Sequence, residues 1–80
     1  MSPTIYIEGR YRFYFNSSEE TRKHIHVKTP DGQAKFWLEP IVALVESHGI
    51  PAHELTRVEE IVHQRKESFE NAWYKHFPKR

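Results

Sequence analysis

Two hydrophobic rhythms divide the chain. Up to residue 39 the apolar positions recur every second residue: TIYIE (4–8) alternates around Ile5 and Ile7, and YRFYF (11–15) around Phe13. Successive side chains of a strand point to opposite faces, so this spacing predicts strands, and Gly9 with Arg10 between the two runs predicts a tight hairpin. NSSEETR (16–22) carries no apolar anchor and reads as an exposed loop. Two further runs, 24–28 and 34–38, flank TPDGQ. There Pro30 fixes φ, Asp31 offers local hydrogen bonding and Gly32 tolerates positive φ, which predicts a second hairpin.

From residue 40 the rhythm lengthens. PIVALVESHG (40–49) predicts a short helix that opens on Pro40 and closes on His48 and a left-handed Gly49. Residues 52–77 then place Leu55, Val58, Ile61, Val62, Phe69, Ala72, Trp73 and Phe77 at three-and-four spacing, which predicts one long amphipathic helix. His63, Arg65, Lys66 and Glu70 fall on its outward side as ordinary surface charge, and His76 lies where a helix dipole favours a cation. The expected fold is α+β: a four-stranded antiparallel sheet of two hairpins with two C-terminal helices packed on one face, in the order ββββαα. Residues 1–80 form a single domain, with a β-sheet half over 1–39 and a helical half over 40–77.

Strand parity sorts the side chains. Ile5, Ile7, Tyr11, Phe13, Phe15, Ile25, Val27, Ala34, Phe36 and Leu38 share one face, which the helices can cover. Tyr6, Glu8, Arg12, Tyr14, His24, His26, Lys28, Lys35, Trp37 and Glu39 share the other. Nothing remains in the chain to cover that second face, so it is expected to stay open unless a bulge flips a strand's register.

Composition narrows the function. At 80 residues the chain has material for one core and little more. It has no cysteine, which removes disulfides and thiolate zinc as sources of stability. No apolar run approaches the roughly 20 residues of a membrane span, and the first residues lack a secretory pattern, so a cytoplasmic protein without membrane contact is expected. Twelve Lys and Arg against eleven Asp and Glu give a net charge of +1, so any attraction to an anionic partner must come from local clustering.

The open face concentrates the candidate chemistry in KHIHVK (23–28). Three readings compete. His24 and His26 can be ordinary members of a solvated strand face. They can be an acid and base pair for RNA cleavage, since imidazole titrates near neutrality, with Arg12 and Lys35 meeting phosphate charge. They can also be two ligands of a metal, a reading that lacks a third ligand, because catalytic zinc normally takes three from the protein and the other histidines fall in the helical half. Tyr14 and Trp37 add flat surfaces on which unpaired bases could stack, and Lys28 a further cation. The residues assigned to the site are thus His24 and His26 in catalytic roles, and Arg12, Tyr14, Lys28, Lys35 and Trp37 in substrate binding. No metal and no cofactor are expected.

Three blocks carry a resemblance: the strand YRFYF, the H-x-H of KHIHVK and AKFWLEP (34–40). With them, the chain from Pro3 to Phe77 resembles a small bacterial family, the uncharacterised-domain family forty-one-sixty. Members are typically stand-alone domains of about this size, often encoded beside a second small protein, which implies a toxin and antitoxin pair. Prolines that commonly precede the H-x-H are replaced here by Thr21, Arg22 and Lys23, while His24 and His26 match. The resemblance implies a small antitoxin-like partner protein, with this chain as the toxin; the parity and residue types of the open face, and not the resemblance, supply its enzymatic form, a metal-independent ribonuclease. The alternative is a non-catalytic protein-binding module using the sheet face or an exposed edge, or a homodimer with its two-fold contact centred on Trp37.

Overall fold

The computed structural model describes residues 4–16 and 22–77, and the greater part of the polar loop expected over 16–22 lies outside them. Five strands and two helices follow one another: β1 (Thr4–Glu8), β2 (Tyr11–Tyr14), β3 (His24–Lys28), β4 (Gln33–Trp37), β5 (Ala43–His48), α1 (Ala52–Gln64) and α2 (Lys66–His76). All neighbouring strands are antiparallel, and their order in the sheet is their order in the chain. The α+β class and the helices after the strands are as expected. The sheet has five strands rather than four, and the order is βββββαα.

The extra strand comes from the segment expected to be helical, so the division between halves falls after residue 48 instead of 39. A ten-residue helix is marginal by itself, whereas β4 offers a complete row of backbone donors and acceptors along its free edge. Val42 and Ile50 are buried at either end of β5 and anchor it to the core. Gly49 does take positive φ (83°), but it ends a strand and not a helix. The backbone of Gly32 passes so close to His48 that a Cβ there would overlap the His48 carbonyl oxygen. Glycine is what allows β4 to begin where β5 ends.

Both hairpin turns form. Gly9 adopts φ 59° between Glu8 and Tyr11, which are paired residues. In the second turn the Thr29 hydroxyl accepts from the backbone N–H groups of Asp31 and Gly32, each at 3.1 Å, so threonine closes this turn and not the Asp31 side chain. The long helix is divided. Arg65 leaves helical geometry at φ −110° and ψ 18°, where its guanidinium lies 3.8 Å from the Tyr6 ring centroid.

The helices bury Val58, Ile61, Val62, Phe69 and Trp73 against Phe13, Phe15, Ile25, Val27, Phe36 and Leu38 of the sheet. Rings dominate the contact: Phe13 and Phe69 lie 5.4 Å apart, and Trp73 presents its edge to Phe15 at 5.3 Å and tilts against Phe77 at 4.3 Å. Parity is correct for β2 and β4 and for β3 after its first residue, and fails in β1. A register shift between Thr4 and Tyr6 sets Tyr6 opposite Phe13, so Tyr6 turns toward the helices and Ile7 is exposed at 61%. Tyr6 then donates to Glu8 Oε1 at 2.7 Å, while Glu8 Oε2 accepts from Arg57 on α1 at 2.6 Å. That carboxylate, followed by partial burial, holds the Tyr6 hydroxyl above the usual phenol range. Tyr6 and Glu8 therefore belong to the helix side and not to the open face.

Candidate functional site

Cross-strand pairing builds the open face in columns. Arg12 pairs with Lys28, Lys28 with Gln33 and Gln33 with His48; beside them Tyr14 pairs with His26, His26 with Lys35 and Lys35 with Glu46. His24 pairs with Trp37, and Trp37 with Ala43. Every residue assigned to the site from the sequence thus lies within one contiguous block of β2, β3 and β4. The geometry nevertheless separates the two histidines.

His24 is buried, with 2% of its surface exposed. It sits at the first position of β3, where Lys23 O accepts from Leu38 N–H at 2.9 Å and α2 reaches the end of the sheet. Its ring lies 5.0 Å from Trp73 on one side, and 5.1 and 6.0 Å from His26 and Trp37 on the other. His24 Nδ1 is 2.8 Å from the Arg22 carbonyl oxygen. A carbonyl only accepts, so Nδ1 carries a proton and donates it there. This imidazole is a wedge between layers, and the expectation that it lies side by side with His26 in solvent is corrected.

His26 is half-buried and stacks on Tyr14, the rings 5.3 Å apart and inclined by 21°. Arg12 stands 4.8 Å from the Tyr14 centroid and also donates through Nε to Thr4 Oγ1 at 2.7 Å. Trp37 is flanked by Arg22 at 4.2 Å and by Lys35 Nζ at 4.8 Å. The two aromatic rings assigned to base stacking therefore already have cations or an imidazole against them. Each such contact is worth about 0.5–1 kcal/mol at an exposed site, an energy that an incoming base must exceed to displace it.

A depression of about 210 Å3 opens on this face, lined by Tyr14, Asn16, His26, Gln33, Lys35, Glu46 and His48. His48 Nε2 lies 4.0 Å from Glu46 Oε1 at its rim. His48, Glu46, Asn16 and Gln33 were not among the residues picked out from the sequence. For His48 and Glu46 the cause was the helical reading of 40–49, which hid their alternation. Arg12, Lys28 and Trp37 do not line the depression. At the opposite end of the face Lys23 Nζ donates to Glu39 Oε1 at 2.7 Å. That hydrogen bond raises the Lys23 pKa and lowers that of Glu39.

Two imidazoles, an ammonium and a carboxylate around one concavity can exchange protons and hold an anion. Among the described residues no group of three histidine, aspartate or glutamate side chains is placed to hold a metal ion, and no helix is long and apolar enough to cross a membrane.

The family model of a domain of unknown function, DUF4160, matches residues 10–74. The chain belongs to this family. The matched region runs from the β1–β2 turn into α2 and includes the whole depression. Neither a curated protein nor a solved structure matches the chain.

Proposed function

We propose that this DUF4160 chain is a cytoplasmic, RNA-directed component of a toxin and antitoxin module, its toxin half, and that it acts through the open sheet face. The observation that carries the reading is the convergence of His26, Lys35 and His48 on one depression. The toxin role rests on the gene context that the family resemblance implies, with a small antitoxin-like protein as the cognate partner. In the enzymatic form of the proposal, neutral His26 takes the proton of a ribose 2′-hydroxyl as its oxygen attacks the adjacent phosphorus. Protonated His48 delivers a proton to the departing 5′ oxygen, and Lys35 offsets the charge gathering on the phosphoryl oxygens. The products are a 2′,3′-cyclic phosphate and a free 5′-hydroxyl, and no metal is required. His24 acts through His26 as a positioning residue.

Purified protein incubated in EDTA with a labelled single-stranded RNA tests this directly. Cleavage should persist in the chelator, stop when the 2′-hydroxyl at the cut site is replaced by hydrogen, and fall roughly 10²–10⁴-fold in a folded His26→Ala variant. Intact RNA with the wild type, or cleavage indifferent to His26→Ala, would overturn it. Growth arrest on induced expression, absent in the same variant, is the matching test in cells. A second reading, a non-catalytic binding module, is favoured by one feature: β5 leaves a sheet edge with Leu44 and Val45 exposed.

A further inference from the structure

The sheet has two edges, and they are finished differently. On β1 the register shift at Thr4 to Tyr6 disturbs regular pairing, and Glu8 is tied to Arg57. β5 is the longest strand, six residues, and carries a single carboxylate. Leu44 pairs with Phe36 on the helix side and is still 43% exposed, so the helical layer stops short of this edge; Val45 is 38% exposed. A free edge of this kind is a template for another strand.

We propose that β5 pairs with β5 of a second copy of this chain, antiparallel, about a two-fold axis that passes through Ser47 perpendicular to the sheet. The register follows from three constraints. Such an axis keeps the open faces of both copies on the same side, so one residue must stand opposite itself. The β5 ladder shifts between Leu44 and Glu46, opposite Phe36 and Lys35, which leaves Glu46 to His48 as the regular stretch, with Ser47 at its centre. Charge then chooses among the remaining centres. An axis at Glu46 would oppose two carboxylates, whereas an axis at Ser47 sets each Glu46 opposite the partner's His48, twice. Val45 comes opposite the partner's Gly49, which has no side chain to obstruct it. A two-fold centred on Trp37 is a poorer arrangement, because that ring stands between Arg22 and Lys35 and would bring like charges together.

The dimer joins two five-stranded sheets into one of ten strands. Each depression spans β2 to β5, so the two meet across the seam and form one trough on the shared open face. The pairing itself is independent of the ribonuclease reading.

Sedimentation equilibrium of the full chain over a wide concentration range tests it. The wild type should dimerise with increasing concentration. Glu46→Lys and His48→Glu should each weaken association at least tenfold, and the double variant Glu46→Lys, His48→Glu should restore it, because the opposed charges are exchanged and not lost. The native chain has no cysteine, so Ser47→Cys supplies a unique crosslink and should give a covalent dimer on mild oxidation. Leu44→Cys should not, since in this register the two copies lie six positions apart, about 20 Å. All four positions changed or probed are on the edge strand β5, and circular dichroism checks that each variant folds. A wild type monomeric at every concentration overturns the proposal, as does a dimer crosslinked through Leu44→Cys and not Ser47→Cys. So does an edge that is covered only when a different protein is added.

Discussion

Removing Trp73 tests the link between the core and the open face. The side chain is 1% exposed and touches the rings of Phe15, Phe77 and His24. A buried aromatic of this kind covers roughly 150–250 Å2, which at about 25 cal/mol per Å2 corresponds to about 4–6 kcal/mol. Measured truncations of buried Phe and Trp to Ala cost about 3–5 kcal/mol. A chain of 80 residues has a total stability of about 4–12 kcal/mol at typical values per residue. Trp73→Ala should therefore leave the protein marginally folded or unfolded. Trp73→Phe, which keeps a ring beside Phe15, should cost about 1–2 kcal/mol.

Urea unfolding followed by far-ultraviolet circular dichroism gives both numbers without relying on tryptophan fluorescence, to which Trp37 also contributes. A cycle of Phe15→Leu with Trp73→Leu, each of which removes one ring of the pair, should give a coupling of about 0.5–1.5 kcal/mol for the edge-to-face contact. The second readout is the histidine pair. Because Trp73 is the helix-side neighbour of His24, its truncation should shift and broaden the His24 and His26 ring signals in NMR spectra before global unfolding. A Trp73→Ala cost below about 1.5 kcal/mol, with an unchanged denaturant slope, would show that this ring is not the buried anchor and would refute the argument.

Gly32→Ala should destabilise the fold by about 1–3 kcal/mol, because the added Cβ meets the His48 carbonyl and the backbone of β4 or β5 must move; chemical denaturation reads the loss, and an unchanged midpoint would contradict the close approach. The Lys23 and Glu39 pair gives a pH dependence of defined sign. Glu39 titrates below its unfolded value, so its contribution is present above that value and is lost as pH falls through the folded pKa. Lys23 titrates above its unfolded value, so its contribution is lost as pH rises through the folded pKa. Glu39→Gln should remove the acid limb, reduce the alkaline limb without abolishing it because Tyr74 also raises Lys23, and cost about 0.2–1 kcal/mol at neutral pH, the range for a largely solvent-screened pair; thermal melts from pH 3 to 11 check it. Arg57→Ala, which breaks its bond to Glu8, should cost about 0–1 kcal/mol for the same reason and serves as the surface comparison in the same melts.

The sheet half was legible wherever alternation met turn chemistry. Phe13, Ile25, Val27, Ala34, Phe36 and Leu38 could be assigned to the core by counting, because β2, β3 and β4 pair without an irregularity up to Lys35. Two things were not visible. The irregularity in β1 exchanges Tyr6 for Ile7, and nothing local in TIYIE announces it; what decides it is the aromatic contact of Tyr6 with Phe13 and Phe69, at 6.0 and 6.2 Å. The segment 40–49 has apolar residues compatible with either period. It becomes a strand because β4 has a free edge, a fact about the assembled sheet and not about IVALVES. That one misreading hid His48 and Glu46, and with them the β5 wall of the depression.

The H-x-H motif illustrates why residue type and spacing underdetermine chemistry. Alternation sets His24 and His26 on one face, yet the first position of a strand lies at the end of the sheet, where a ring can fold over the end and enter the core. Trp73 receives it, and the Arg22 carbonyl accepts a hydrogen bond from its Nδ1–H. Phosphoryl transfer by an acid and a base requires them on opposite sides of the phosphorus, since the attacking and leaving oxygens are roughly in line. Rings 5.1 Å apart and edge to face, as His24 and His26 are, leave no room for a phosphate between them. His26 on β3 and His48 on β5 have one strand between them and are offset by two residues along it, His26 opposite Lys35 and His48 opposite Gln33, a backbone separation of about 12 Å, and Lys35 projects from that intervening strand. An acid and a base on either side of a cation is the spacing the proposed reaction needs. It arises because β5 completes the sheet.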